Sequence, residues 1–340
     1  MKKKVRVSLL TLVCVLCISS LTAFAEEENE DMINEETLVS YYIDQVYEYP
    51  VLPGSEEWKE FDNHVDKMNA CMIPEEILCH MTTEALLETV LAYPLLGNMF
   101  IWDTTQEGYE FVLRNFNGLQ ELMERDDLAV VLETQLTSEC AVNSDYNTYQ
   151  QSFADKALQV FIINNEDISP VISMNPITEN VSINAASATV YTPKGSAVTA
   201  VTGVTFDFLG ITAADIAEKE EYFATAFPNA VEIISRNPAY NCHSYAWYGN
   251  GAVCGYWIDN ITPYITDGSY SQVTVPLYGG EKVLYTDPSF THSLQYIHTA
   301  IYISSSSSAC KSKWGPYGVY QHGIYDCPYY ESGINITYWR

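Results

Sequence analysis

The sequence predicts an α+β protein: a helical region over residues 50–140, then a region over 181–340 in which a helix opening on a cysteine precedes several strands. Three observations predict it. Apolar residues recur at helical spacing between 50 and 140. From residue 181 the pattern shifts to short alternating runs set between turn residues. Between those runs, Tyr240-Asn241-Cys242-His243-Ser244-Tyr245-Ala246-Trp247-Tyr248 places a cysteine where the loop Arg236-Asn237-Pro238 turns into a helix.

Residues 1–25 read as an export signal. Lys2, Lys3, Lys4 and Arg6 precede an apolar run too short to span a membrane, and Ala23-Phe24-Ala25 has the small-x-small form of a cleavage site. Cys14 and Cys17 lack the small residues expected before a lipidated cysteine. Cleavage near Ala25 predicts a secreted chain with no membrane attachment. Residues 26–49 follow as an acidic N-terminal segment. The chain carries 16 basic and 44 acidic residues, a formal net charge of −28. Such a surface repels phosphate backbones, so nucleic acid is not an expected partner.

Within 50–140, Pro74-Glu75-Glu76-Ile77-Leu78 reads as a helix start. Leu86, Leu87, Val90 and Leu91 form a second helix that stops near Pro94. Thr104 with Glu107 matches a capping box, and Tyr109, Val112, Leu113, Phe116, Leu119, Leu122 and Met123 continue as one stripe. Residues 141–180 read as a linker or irregular segment. Strands are expected at 188–191 and 204–208 around the Pro193-Lys194-Gly195 turn, then a helix capped by Thr212, then a strand at 230–234. After the cysteine helix, strands are expected at 271–277, 282–285, 298–303 and 318–321. Seven cysteines remain after cleavage, an odd number compatible with some disulfides plus one free thiol. The mature chain has no CxxC pair, which leaves a structural zinc site or a thioredoxin-like motif little support, and a zinc site from Cys242, His298 and His322 lacks ligand-spacing pairs, so no metal and no cofactor is expected.

A helix N-terminus carries unpaired N–H groups and a partial positive charge, both of which favour thiolate over thiol. Cys242 is therefore the candidate nucleophile. His298 opens the strand pattern His298-Thr299-Ala300-Ile301-Tyr302-Ile303 and is the candidate base; His292 is the alternative. His322, closing Gly318-Val319-Tyr320-Gln321-His322, is the candidate third member that orients the base. Tyr240, Asn241, His243 and Trp247 flank the cysteine as candidate substrate contacts. His243 diverges from Cys242 by about 100° if the segment is helical. Each has a plainer reading: a buried or bridged thiol, or a strand histidine satisfied in the core. The aromatic residues of the C-terminal region, Tyr329 and Tyr330 among them, are either groove or core.

The order of these motifs resembles the NlpC/P60-like branch of the papain-like cysteine hydrolases. Asn241-Cys242-His243-Ser244 stands for its nucleophile segment, Gly280-Glu281-Lys282-Val283-Leu284-Tyr285 for its Gly-Asp strand, His298-Thr299-Ala300-Ile301-Tyr302 for its base strand, and Val319-Tyr320-Gln321-His322 for its last strand. The resemblance covers about residues 235–325. It departs from the family in Asn241, where Asp is usual, in His243, where small residues are common, and in the long gap from His298 to His322. The whole chain also resembles a group of secreted clostridial-type proteins of unassigned function. The resemblance implies a papain-like domain over 181–340 whose nucleophile helix packs on an antiparallel sheet. It implies a Cys-His-His peptidase or amidase acting on a peptide or a peptidoglycan fragment, at a stem-peptide amide bond. A non-catalytic secreted binding protein that keeps the fold is the alternative.

Overall fold

The computed structural model describes residues 42–102, 104–137, 148–165, 185–276, 278–289, 295–304 and 309–340. The leader, residues 26–41, Cys140 and His292 lie outside the described residues.

Four short helices come first: α1 (Glu56–Lys59), α2 (His64–Ala70), α3 (Glu75–Leu78) and α4 (Thr83–Leu91). The Thr82 hydroxyl accepts from Ala85 N–H and starts α4, which buries Leu86, Leu87, Val90 and Leu91. The capping box of Thr104 and Glu107 starts α5 (Thr105–Asn115) as expected. The stripe expected to run on to Met123 is broken at Phe116, whose backbone is extended (φ −134°, ψ 112°), and α6 (Asn117–Met123) begins anew. Just after the break, the Asn117 side-chain amide accepts from Ile73 N–H at 3.1 Å and donates to Ile73 C=O at 2.7 Å, which ties the start of α6 to that loop.

Helices α7 (Leu128–Thr137) and α8 (Thr148–Asn164) follow. The second lies in the segment read as irregular. Its buried positions Phe153, Ala154, Ala157, Val160 and Phe161 keep helical spacing, a signal diluted by polar neighbours. Helix α9 (Ala213–Ala226) carries the expected Thr212 cap, closed into a box by Asp215. It joins the two regions expected from the sequence. Trp58 Nε1 donates to Ala226 C=O at 2.9 Å, and the Phe223 ring meets Trp314 and Tyr317 edge-on at 5.0 and 5.6 Å. One hydrophobic core therefore runs from the helical region to the C-terminal loop, and residues from Tyr42 to Arg340 form one compact unit.

A buried ion pair ties the ends of that unit. Lys67 Nζ lies 2.6 Å from Asp326 Oδ1, with both side chains sealed from solvent. Removing one partner strands the other charge. Asp326→Ala is expected to cost about 3–5 kcal/mol of stability in urea denaturation; a loss below about 1 kcal/mol would show that water reaches Lys67.

Strands β1 (Ala186–Tyr191), β2 (Ala197–Thr202) and β4 (Tyr256–Trp257) form a small sheet in the order β1-β2-β4. Strand β2 replaces the strand expected at 204–208. The tight turn at Gly195 (φ 91°) pairs Tyr191 with Ala197, so the return strand starts at once, and residues 206–210 form a turn instead. The main sheet has seven antiparallel strands: β3 (Val231–Ile234), β5 (Gln272–Val273), β6 (Lys282–Thr286), β7 (Tyr296–Tyr302), β8 (Cys310–Lys313), β9 (Val319–His322) and β10 (Asn335–Trp339). Their order is β3-β9-β8-β7-β6-β10-β5. Alternation divides the central strands into two faces. Leu284, Ile301 and Val319 belong to one core; Val283, Tyr285, Ala300, Tyr302 and Cys310 belong to the other. His298 pairs with Tyr285 in register and shares that second face.

No disulfide is formed among the described residues, although the odd cysteine count is compatible with some. Cys71, Cys79, Cys242, Cys254, Cys310 and Cys327 are all unbridged. Cys71 and Cys79 follow two different helices, α2 and α3, and Cys71 is buried while Cys79 is exposed. Among the described residues no helix is long and apolar enough to cross a membrane.

Candidate active site

Cys242 and His243 form the first helical turn of a segment that continues as a π-helix, Ser244–Tyr248. Tyr245 N–H bonds Asn241 C=O at 3.0 Å, then the spacing widens and Gly249 N–H bonds Ser244 C=O at 2.7 Å. Such wide turns are frequent at functional sites. Asn241 holds the start. Its Oδ1 accepts from Ser244 N–H (3.1 Å) and Ile258 N–H (3.3 Å), while its Nδ2 donates to Ile258 C=O (3.0 Å). A carboxylate has no donor for the last bond, so Asn and not Asp fits this position.

The segment lies on the Leu284–Ile301 face of the sheet, with Tyr245, Ala246 and Trp247 buried. Trp247 Nε1 donates to Thr299 Oγ1 at 3.2 Å. His243 is buried between Tyr296 C=O (2.9 Å from Nε2) and Thr299 Oγ1 (2.8 Å from Nδ1). A carbonyl only accepts, so the His243 proton sits on Nε2, and the Thr299 hydroxyl donates to Nδ1. Burial pushes His243 down to about 4, against a smaller opposing effect of the Tyr296 carbonyl.

Cys242 is half-exposed and lines a cavity of about 120 Å³ with Asn241, His243, Tyr296, Ile297, Gly315, Trp102 and Tyr329; Glu107 and Asp259 complete its border. His298 does not line this cavity. It lies on the Tyr285 face of the sheet, under the Tyr329 ring, which stacks on it at 4.2 Å. The Tyr285 ring covers it at 5.4 Å. The His298 ring is fully buried, and neither nitrogen has a hydrogen-bond partner. Burial holds it well below the usual histidine range, with His322 and His243 adding to the effect. No hydrogen bond joins Cys242 to His298, so the expected close thiol–imidazole contact is absent in this state.

Three expectations are corrected. His322 does not orient His298. Its Nε2 bonds Ser312 Oγ at 2.7 Å, its Nδ1 bonds Gly323 C=O at 2.7 Å, and Cys310 Sγ lies 3.6 Å from Nδ1. Register explains this: His322 pairs with Cys310, which pairs with Tyr302, so it stands level with the far end of β7 and not with His298. Tyr240 and Trp247 are sealed in the core and do not line the cavity. Asn241 borders the cavity, but its amide is consumed by Ile258 and Ser244; His243 borders it with both nitrogens engaged. His292, the alternative base, lies outside the described residues.

Sequence reasoning missed Thr299, which fixes both His243 and Trp247 and lies inside a strand pattern that gives it no distinguishing mark. Tyr329 stood out only as one aromatic among many. A second thiol–imidazole contact, Cys79 Sγ to His80 Nδ1 at 3.0 Å, is exposed on the helical region. The same Nδ1 lies 3.0 Å from Glu76 C=O. Its hydrogen is therefore directed at that carbonyl, and the nitrogen has no lone pair left to take a thiol proton.

Searches against family models, curated proteins and solved structures found no match for this chain.

Proposed function

We propose that this chain is a thiol hydrolase of papain-like arrangement, with Cys242 as nucleophile and His298 as base. One observation carries the reading: a half-buried cysteine at a helix start lines a cavity whose wall residue Tyr329 stacks on a buried imidazole with two unsatisfied nitrogens. A buried polar group without a partner is costly, and functional sites are where such groups persist. The resting imidazole is neutral, the form that accepts a proton. Cys242 gives its thiol proton to His298 as its sulfur attacks an amide carbonyl; the thiolate supplies the counter-charge that makes the buried imidazolium tolerable. His298 then protonates the leaving amine, and water hydrolyses the thioester. The Cys242 N–H contributes to the oxyanion site. The reaction requires Cys242 and His298 to come within reach of each other, because no hydrogen bond joins them in this structure.

The substrate is a peptide, and the resemblance to NlpC/P60-like hydrolases selects a peptidoglycan stem-peptide amide. Secretion after cleavage near Ala25 fits that substrate. The test is a mass-spectrometric screen of peptides and muropeptides. A product formed by the wild type and not by Cys242→Ala is the expected result. Cleavage that survives in Cys242→Ala removes the mechanism. The second reading, a binding protein that keeps the fold without catalysis, is favoured by the sealed position of His298, and it predicts binding with no cleavage.

A further inference from the structure

A second cavity, of about 240 Å³, shares Trp102 with the first. Phe100, Phe153, Trp257 and Tyr317 supply its rings, and Lys219 of α9 lines it although only 2 % exposed. Lys219 Nζ donates one hydrogen bond, to Gly97 C=O at 3.1 Å, and lies 4.2 Å from the centre of the Phe153 ring, with Phe100 and Tyr222 at 5.2 and 5.6 Å. Two of its three donors have no acceptor, and it forms no ion pair among the described residues. The nearby acids are engaged elsewhere: Asp215 and Glu218 hold Lys156 at 2.6 and 2.9 Å. Burial holds the Lys219 amine well below its ordinary range, with Lys156 adding to the effect and Glu218 and Asp215 opposing it.

Stability does not account for this lysine. Ile216, Tyr222, Phe223 and Ala226 are the other buried positions of α9, and an apolar side chain of similar length completes that stripe without the cost of a buried amine. Lys156 and Asp215 also line the cavity but pair with each other at 2.6 Å, so Lys219 is the amine left without an acid, and the rings beside it suit a flat apolar body that carries one negative group. We propose that this cavity binds a small carboxylate with a single-ring body, its carboxylate on Lys219 and its ring against Trp102 and Trp257. The volume lies below the roughly 300–1,000 Å³ of drug-sized pockets, which limits the ligand to about that size. The proposal stands whether or not Cys242 is a nucleophile.

The test is calorimetric titration of the full chain at pH 7 with 3-phenylpropionate and with its neutral amide. The expected result is at least tenfold tighter binding of the acid than of the amide, and Lys219→Met should abolish that preference. Equal binding of acid and amide, retention of the preference in Lys219→Met, or no binding of either probe each overturns the proposal. If Lys219→Met does not fold, the acid–amide comparison on the wild type decides.

Discussion

Lowering the pH from 7.5 to 5.5 is expected to cost this protein about 5 kcal/mol of stability. Four histidines, His64, His243, His298 and His322, are buried as neutral rings. Burial lowers His64 to about 3, His243 to about 4 and His322 to about 4, and holds His298 well below the usual range. In the unfolded chain each titrates near 6.5. Below that value the unfolded state binds more protons than the folded one, so stability falls with pH. Each ring contributes about 1.4 kcal/mol over the interval, and a whole domain has only about 5–15 kcal/mol to lose. The loss continues until the pH reaches about 4, where His243 and His322 also protonate in the folded state and the slope eases. Urea denaturation followed by tryptophan fluorescence at the two pH values checks this. A difference below about 1 kcal/mol would show that these rings are hydrated or already charged.

His298→Ala is expected to lower kcat/KM for any substrate found by about 10²–10⁴-fold, the usual contribution of a general base. Cys242→Ala is expected to lower it by more, since the covalent step is lost. His322→Gln is expected to leave turnover within about threefold wherever the variant folds, because His322 bonds Ser312 and Gly323 and not the base. A loss at His322 equal to that at His298 would restore the three-residue arrangement that the sequence suggests and the register of β8 and β9 opposes.

Much of the scaffold was legible because its signals are local. The Thr104–Glu107 and Thr212–Asp215 boxes use neighbouring residues, and both start helices where the sequence places them. The β7 strand around His298 forms where the sequence places it, though His298 to Tyr302 are all buried instead of alternating with exposed positions. Two strands of the main sheet escaped notice. Strand β8, Cys-Lys-Ser-Lys, reads as polar, yet Ser312 and Lys313 are fully buried, and Lys313 is paid for by the carbonyls of Gly315 and Tyr317. Strand β10 is the chain's last pairing element, and it enters the sheet between β6 and β5 by long-range register alone. At the site, Cys242 was legible from its place at a helix start. The partners of His243 and His322 were not, because Thr299 and Ser312 come to them only through folding.

The central claim is that His298 activates Cys242, and the rate of alkylation of that one thiol tests it most directly. Site-resolved mass spectrometry after brief iodoacetamide treatment at pH 6 gives the rate at Cys242, with N-acetylcysteine as the reference thiol. The account predicts a Cys242 rate at least tenfold above the reference in the wild type, falling to the reference or below in His298→Ala. A Cys242 rate at or under the reference, or one unchanged by His298→Ala, would contradict it.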